Sequence, residues 1–142
     1  MRRKGNILVV CTQNSARSQI AEAYLRRYVG NRFEVFSAGV HPSKVHPLTI
    51  KVLEEVGFDV EQHEAKSIKS FLGRLQVHYL IIVCSKAERE CPSTFPGMLE
   101  RLSWPFDDPA ATQGTQEERL EAFRRVRDQI EQRVRTWAPE IP

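Results

Sequence analysis

The stretch of residues 9–18 reads Val-Val-Cys-Thr-Gln-Asn-Ser-Ala-Arg-Ser and joins two segments of different character. Residues 6–10 are mostly apolar and β-branched, which is typical of a strand buried on both faces of a parallel sheet. Residues 19–28 are helix formers, with Ile20, Tyr24 and Tyr28 recurring every four positions. The stretch is therefore predicted to form the turn between a buried strand and a helix.

A turn of this kind suits the binding of an oxyanion. Backbone N–H groups converge at a helix N-terminus, where the helix dipole is positive, and Arg17 adds a planar, permanently charged guanidinium. Cys11 lies in the same field, which favours the thiolate, the nucleophilic form of cysteine. The residues predicted to bind the anion are Thr12, Gln13, Asn14, Ser15, Ala16 and Ser18. The alternative is that Cys11 is a buried structural thiol and Arg17 a surface cation.

Cys84 follows a second strongly apolar segment, residues 78–83, as Cys11 follows the first. Parallel strands end at one edge of a sheet, where ligands bind, so a disulfide between Cys11 and Cys84 is geometrically plausible. The segment between Cys84 and Cys91 favours a helix. Because seven helical residues span roughly 10 Å, a bond between Cys84 and Cys91 would require this helix to unwind. The alternative is two unrelated thiols.

The remaining patterns predict an α/β fold. Residues 32–37 alternate as a strand would, followed by a loop that begins at residue 37. Apolar spacing predicts a helix from Pro47 that stops at Gly57, a short helix over residues 67–75 and a long helix over residues 117–137. The arginine-rich face of the long helix is expected to be simply solvated, although a partner could use it: Arg124, Arg125, Arg133 and Arg135. Residues 101–104 are a short candidate strand, residues 105–110 a loop, and Pro139 and Pro142 a terminal tail. We expect one domain over residues 1–142, with a four-stranded parallel sheet and helices on both faces.

Composition excludes several classes of protein. The net charge of +3 is spread along the chain, so no nucleic-acid-binding stripe is expected, and no apolar run is long enough to cross a membrane. The N-terminal Met-Arg-Arg-Lys leads into a strand without a signal-peptide core, so we expect a cytoplasmic protein. Three cysteines suit transient redox use better than a static disulfide framework. The histidines are scattered, so each is expected on the surface or in a loop, and no metal site is expected: His41, His46, His63 and His78.

Residues 11–23, Cys-Thr-Gln-Asn-Ser-Ala-Arg-Ser-Gln-Ile-Ala-Glu-Ala, resemble the active-site loop of the low-molecular-weight protein tyrosine phosphatase superfamily. More closely, they are similar to the thioredoxin-coupled arsenate reductases on that fold, and the resemblance runs nearly end to end. It implies that Cys11 is the nucleophile and that Cys84 and Cys91 are a redox pair. It also implies that Asp108, which precedes a proline, is the general acid, with Asp107 bracing the loop. Many relatives carry a further cysteine where this chain has Ala16.

The resemblance also bears on potassium, which some members of the superfamily bind. Their ligands align with Asn14, Glu22 and Ser37, together with an acidic residue that falls near Lys66 of this chain. A lysine would repel a cation, so no potassium site is expected.

Three functions compete. The cysteines favour reduction of arsenate to arsenite, with thioredoxin as the external reductant, no bound cofactor and residual phosphatase activity. A tyrosine phosphatase using Cys11, Arg17 and Asp108 is the alternative, although residues 110–112, Ala-Ala-Thr, offer no aromatic wall for a phosphotyrosine ring. A non-catalytic redox sensor is the third. We expect a monomer that binds arsenate or a phosphate-like oxyanion.

Overall fold

The computed structural model describes residues 5–92 and 95–141. The predictions for the N-terminal Met-Arg-Arg-Lys and for Pro142 therefore lie outside the described residues. No described helix is both long and apolar enough to span a bilayer.

A four-stranded, fully parallel sheet forms the centre of the chain, as predicted. Its strands are β1 (Gly5–Cys11), β2 (Phe33–Gly39), β3 (Tyr79–Ile82) and β4 (Glu100–Ser103), in the spatial order β2-β1-β3-β4. The helices are α1 (Arg17–Val29), α2 (Pro47–Glu55), α3 (Ser85–Glu90) and α4 (Gln116–Trp137). Because the order departs from chain order at β1, the carboxyl ends of β1 and β3 meet at the switch point where ligands bind in such sheets.

The central strands are covered on both faces. Every residue from Ile7 to Val10 is fully buried, and β3 is buried along its whole length. Val9 pairs with Ile81 and Val10 with Ile82, so the two strands run in step to the edge where Cys11 and Cys84 follow. This register is what brings the two halves of the predicted site together.

The long helix α4 begins one residue earlier than predicted, at Gln116. Thr115 and Glu118 cap its start reciprocally, each side chain accepting from the other residue's backbone N–H. Its apolar face buries Phe123, Ile130 and Trp137, and the Trp137 ring lies 5.4 Å from that of Trp104, just after β4. The C-terminal end of the helix thus packs against the sheet, where the Trp137 ring also lies 5.8 Å from that of Tyr79.

Several element boundaries differ from the predictions. Strand β2 continues to Gly39, two residues into the predicted loop, because its backbone pairs with the end of β1 and bridges to Ser67. The predicted helix over residues 67–75 is only a 3₁₀ turn, Ile68–Ser70, because the chain turns at Gly73 with φ of +72°. Pro109–Ala111 and Ala138–Glu140 also form 3₁₀ turns where a loop and a tail were predicted.

The arginines of α4 were predicted to be simply solvated, and for two of them this is wrong. Arg124 forms ion pairs with Glu55 on α2 and with Glu121. Arg133 lies over the Trp104 ring, with its guanidinium carbon 5.1 Å from the ring centroid. Arg125 and Arg135 are exposed, as predicted.

Candidate active site

The loop between β1 and α1 is held by its carbonyl groups. The oxygens of Cys11, Thr12, Gln13 and Ser15 each accept a hydrogen bond from a backbone N–H of the segment that follows β2, namely Val40, His41, Ser43 and His46. Within the described part of the chain, the amides of Gln13, Ser15 and Ala16 donate to no protein acceptor. Because the carbonyls are bonded to the segment after β2, these amides are left free to donate to an anion at the α1 N-terminus.

Gly39 allows this close approach of β2 to the loop. A Cβ at this position would lie 2.8 Å from the carbonyl carbon of Gln13 and 2.8 Å from the oxygen of Thr12. Any other residue would push the loop away from the segment that ties it.

The sulfur of Cys11 lies at the end of β1 and accepts hydrogen bonds from the loop. The N–H of Asn14 donates to it at 3.2 Å, and the hydroxyl of Ser18 lies 2.8 Å away. Since Ser18 Oγ already accepts from Asn14 Nδ2 at 2.8 Å, its own hydrogen is free to point at the sulfur. Both contacts place hydrogen-bond donors on the Cys11 sulfur.

Asn14 is the centre of the hydrogen-bond network that holds the loop in place. It is fully buried and has a φ of +53°, a conformation that asparagine tolerates better than most residues. Its side-chain amide donates to Ser18 and Ser37, while its Oδ1 accepts from Gln19 Nε2 at 3.0 Å and from the N–H of Lys66 at 2.8 Å. Every polar atom of this side chain is therefore used in positioning the loop.

The residues aligned with a potassium site do not fit a cation in this chain. Ser37 donates to Glu22, which is buried and forms an ion pair with Arg26 at 3.0 Å. The ammonium of Lys66 lies 3.7 Å from the same Glu22 carboxylate. Two positive side chains thus already neutralise the charge that a cation would require.

Arg17 and Asp108 face each other across the mouth of the loop. Arg17 NH1 donates to the carbonyl of Phe106 at 3.0 Å, and NH2 lies 3.8 Å from Asp108 Oδ2. The other carboxylate oxygen, Oδ1, accepts from the N–H of Ala110 and caps the turn that begins at Pro109. The Asp108 side chain is 45% exposed, so it can reach an incoming ligand and exchange protons with water.

Asp107 does not have the predicted bracing role, which Asp108 takes. Asp107 is exposed and lines the cavity described next. The bracing contact follows from the position of Asp108 immediately before Pro109, whereas the resemblance had implied this role for Asp107.

A cavity of about 500 Å³ opens above the loop. Of the predicted residues, it brings together Cys11, Thr12, Gln13, Ser15, Ala16, Arg17, Cys84 and Asp108. Asn14 and Ser18 are fully buried beneath the loop and hold it from behind. This is the small, polar, cation-lined pocket that a tetrahedral oxyanion requires.

Cys84 enters the cavity as the N-terminal cap of α3. Its sulfur accepts from the N–H of Ala87 at 3.4 Å, and Thr12 Oγ1 lies 3.3 Å from it. Thr12 thus links the anion loop directly to the second cysteine. The pattern of the sequence did not reveal this contact, because it depends on the register between β1 and β3.

Cys91 lies at the opposite end of α3 and does not line the cavity. Its N–H donates to the carbonyl of Ala87 at 2.8 Å, and burial raises the pKa of its thiol to about 11. All three cysteines are free and buried. In this state Cys91 is a protonated thiol held apart from Cys84 by the predicted helix.

His46 and Lys86 also line the cavity and were not singled out as site residues from the sequence. His46 caps α2, its Nδ1 accepting from the N–H of Leu48 at 3.0 Å, so the hydrogen of the neutral ring lies on Nε2. Burial lowers the pKa of His46, with Arg119 acting in the same direction. Lys86 adds a positive charge on the α3 side of the cavity. The sequence could have indicated Lys86 as a site residue only if Cys84 were already known to face the loop.

Comparison with known proteins gives a consistent result. Residues 6–142 match the family described as low molecular weight phosphotyrosine protein phosphatase. The chain is 41% identical over 132 residues to an arsenate reductase of Halalkalibacterium halodurans and 38% identical to one of Bacillus subtilis, in both cases covering 93% of this chain and 94% of the relative.

Solved structures of similar fold include both phosphatases and reductases. An arsenate reductase in the phosphate-binding state superposes with a TM-score of 0.76 at 29% identity, covering 97% of this chain and 99% of the other. The tyrosine phosphatase Wzb of Escherichia coli K30 in complex with sulphate gives a TM-score of 0.78 at 26% identity, with the same coverage. A thioredoxin-dependent arsenate reductase of Corynebacterium glutamicum gives 0.70 at 26% identity, covering 97% of this chain and 62% of that one.

Proposed function

Because this chain belongs to the low molecular weight phosphotyrosine protein phosphatase family, we propose that it uses the family's anion loop to reduce arsenate to arsenite, with thioredoxin as the reductant. The observation that carries the proposal is the position of Cys84, which lines the same cavity as Cys11 and caps a helix that ends at Cys91. A phosphatase needs neither of the two later cysteines. Relatives named arsenate reductase support the same choice.

The first step is attack of the Cys11 thiolate on arsenic. The loop amides and Arg17 hold the oxygens of arsenate, and one of its hydroxyl groups leaves as water after receiving a proton from Asp108. The product is an adduct in which the Cys11 sulfur is bonded to pentavalent arsenic.

The second step is the reduction. The thiolate of Cys84 attacks the sulfur of Cys11, forming the Cys11–Cys84 disulfide, and the electron pair of the sulfur–arsenic bond passes to arsenic, which leaves as arsenite. Two thiols are oxidised and arsenic is reduced by two electrons. The hydroxyl of Thr12, beside Cys84 Sγ, can donate a hydrogen bond that stabilises the attacking thiolate.

The third step moves the disulfide away from the loop. The thiolate of Cys91 attacks the sulfur of Cys84, forming Cys84–Cys91 and releasing the Cys11 thiolate for another cycle. The dithiol of thioredoxin then reduces Cys84–Cys91 and is itself oxidised. No bound cofactor takes part.

Phosphatase activity is the second candidate, because Cys11, Arg17 and Asp108 are sufficient for it and a tyrosine phosphatase is among the similar structures. Water would then hydrolyse a phosphocysteine at Cys11. The absence of an aromatic residue among residues 109–112, beside the cavity, favours small oxyanions over phosphotyrosine. A non-catalytic redox sensor has no need of Asp108 facing the anion loop.

The test is arsenite production from arsenate with thioredoxin, thioredoxin reductase and NADPH. The unaltered chain is expected to turn over continuously, the Cys91→Ser variant to stop after about one equivalent of arsenite, and the Cys11→Ser variant to form none. Turnover with dithiothreitol but not with thioredoxin would support the three-cysteine relay and show that thioredoxin is not the reductant. Hydrolysis of an aryl phosphate without any arsenite, unaffected by loss of Cys84 and Cys91, would identify a phosphatase instead.

A further inference from the structure

The third step of the proposed function requires α3 to open, and the inference below rests on that function. Cys84 and Cys91 cap the two ends of this six-residue helix. Residues seven positions apart in a helix lie roughly 10 Å apart, whereas a disulfide joins Cα atoms less than about 7 Å apart. Whatever stabilises the closed helix therefore limits how often Cys91 can reach Cys84.

The C-terminal end of α3 lacks its normal hydrogen bond. The carbonyl of Glu88 would be satisfied in a longer helix by the N–H four residues on, but that residue is Pro92, which has none. Arg101 of β4 supplies the missing donor, with its NH2 3.0 Å from the Glu88 carbonyl. A side chain from the sheet thus caps the helix that must unwind.

The same guanidinium also faces the Glu88 side chain. Arg101 NH2 lies 3.8 Å from Glu88 Oε1, while Arg101 Nε and Glu88 Oε2 are buried and have no hydrogen-bond partner within the part of the chain that is described. A well-aligned pair would join these atoms in a two-point contact. The contact therefore supplies one hydrogen bond to the helix and leaves the second point unmade, which lowers the cost of releasing it.

A second contact on the outer side of α3 is weaker. His41 Nε2 lies 2.7 Å from Glu90 Oε2, but the His41 side chain is 66% exposed. Exposed pairs of this kind contribute little to stability because water and salt screen them. The contact with Arg101 is thus the better shielded of these two polar contacts on the C-terminal half of the helix.

We propose that Arg101 is a positioning residue that holds α3 closed and thereby sets the rate at which Cys91 attacks Cys84. When Arg101 releases the Glu88 carbonyl, α3 opens, Cys91 leaves its buried position, and its thiolate can displace Cys11 from the Cys11–Cys84 disulfide. The bond formed is Cys84–Cys91, the bond broken is Cys11–Cys84, and no other oxidant is consumed.

The positive charge of Arg101 and its contact with α3 affect the reactivity of Cys91 in opposite directions. Whether reactivity rises or falls when Arg101 is removed therefore tests the proposal. Burial raises the pKa of Cys91, and the nearby positive charge of Arg101 lowers it. If Arg101 acted only through its charge, removing it would make Cys91 less reactive. If Arg101 acts by closing the helix, removing it makes Cys91 more reactive.

The experiment measures the rate at which an aromatic disulfide reagent labels Cys91 in a Cys11→Ser, Cys84→Ser background, where the serine that replaces Cys84 keeps a side chain able to cap the helix. Arg101→Met is expected to raise this rate about tenfold, the effect of losing one charged hydrogen bond. Arg101→Lys can restore one hydrogen bond to the Glu88 carbonyl. Its labelling rate is expected to lie between the rate with Arg101 retained and the rate of Arg101→Met. Arg89→Met, which removes an exposed charge from the same helix, is the matched control and should not raise the rate.

Amide hydrogen exchange supplies the second measurement. The N–H of Cys91 donates to Ala87 inside the closed helix, so its exchange reports opening directly and should accelerate by the same factor as labelling. Unchanged or slower labelling in Arg101→Met would overturn the proposal, as would faster labelling without faster exchange. If the Met variant does not fold, the labelling and exchange rates of the Lys variant test the proposal by themselves. Neither rate involves arsenate or thioredoxin, so this proposal and the proposed function can fail separately.

Discussion

Both hydrogen-bonding roles of the Ser18 hydroxyl are assigned by its two neighbours at the site. Its hydroxyl accepts from Asn14 Nδ2, so its one hydrogen is directed to the sulfur of Cys11 at 2.8 Å. Its predicted contact with the anion is therefore less direct than its contact with the nucleophile. The serine therefore holds a hydrogen-bond donor on the sulfur before any substrate arrives.

Replacing Ser18 with alanine is expected to slow alkylation of Cys11 by iodoacetamide at neutral pH about tenfold, since one hydrogen bond to a charged group is lost. The measurement uses a Cys84→Ser, Cys91→Ser background so that only Cys11 reacts. Ser70→Ala, at an exposed serine of the 3₁₀ turn that follows α2, is the matched control. Equal rates for the two variants would mean that Ser18 does not donate to the sulfur.

Lys66 determines whether the hydrogen-bond network behind the loop responds to potassium. Because its ammonium and Arg26 already neutralise Glu22, the thermal unfolding midpoint is expected to be the same in KCl and NaCl of equal ionic strength. Lys66→Asp should make the midpoint higher in KCl than in NaCl, because a carboxylate replaces the ammonium beside Glu22. Lys69→Asp, at an exposed neighbour, should show no such difference. A potassium effect on the unaltered chain would contradict this interpretation of Lys66.

At the scale of elements, α2 and α4 are joined by an ionic network centred on Glu55. Arg124 donates two hydrogen bonds to one of its oxygens and one to the other, and Arg127 donates to it at 2.9 Å as well as to the carbonyl of Val52. The hydrogen bond from Arg124 lowers the pKa of the Glu55 carboxyl below its ordinary value of 4.5, despite the opposing effect of burial. The network therefore stabilises the fold when Glu55 is ionised.

This network predicts a specific pH dependence. A lowered pKa in the folded state contributes stability that is present above about pH 4.5 and is lost as the pH falls through the folded-state pKa. Glu55→Gln is expected to reduce the free energy of unfolding by about 1 kcal/mol at pH 7, with the difference shrinking between about pH 5 and pH 3. Urea unfolding at several pH values measures it, with Glu54→Gln as the exposed neighbouring control. A difference independent of pH would point to packing rather than charge.

At the scale of the whole molecule, the surface favours a monomer. Only two large apolar side chains are exposed in the described residues, Leu72 and Leu99, and they belong to separate loops. Isolated exposed leucines are normal on monomeric proteins, whereas stable interfaces need a contiguous patch.

We therefore expect sedimentation equilibrium to give a single species near the chain mass of 16.4 kDa at every concentration tested. A mass that rises with concentration would contradict this. In that case Leu99→Ser, which removes the more exposed of the two leucines at 72%, would show whether that side chain lies in the contact.

Much of the fold could be predicted from the sequence, because the decisive signals are local. The apolar segments of β1 and β3 and the periodicity of α4 depend on residues near one another in the chain. The end of β2 could not be predicted in this way, since Gly39 extends the strand only by pairing with Cys11 and bridging to Ser67. The short 3₁₀ turn at Ile68–Ser70 likewise reflects the sharp bend at Gly73 more than helix propensity.

For the site, the sequence by itself determined the strand–loop–helix turn that carries Cys11 and Arg17 and the sheet edge at which Cys84 lies, because both follow from chain order. Only the tertiary structure decided that Thr12 contacts Cys84, that Arg17 faces Asp108, and that Arg101 donates to the carbonyl of Glu88. These contacts join residues on different elements. Their distances depend on sheet register and packing, which no local pattern encodes.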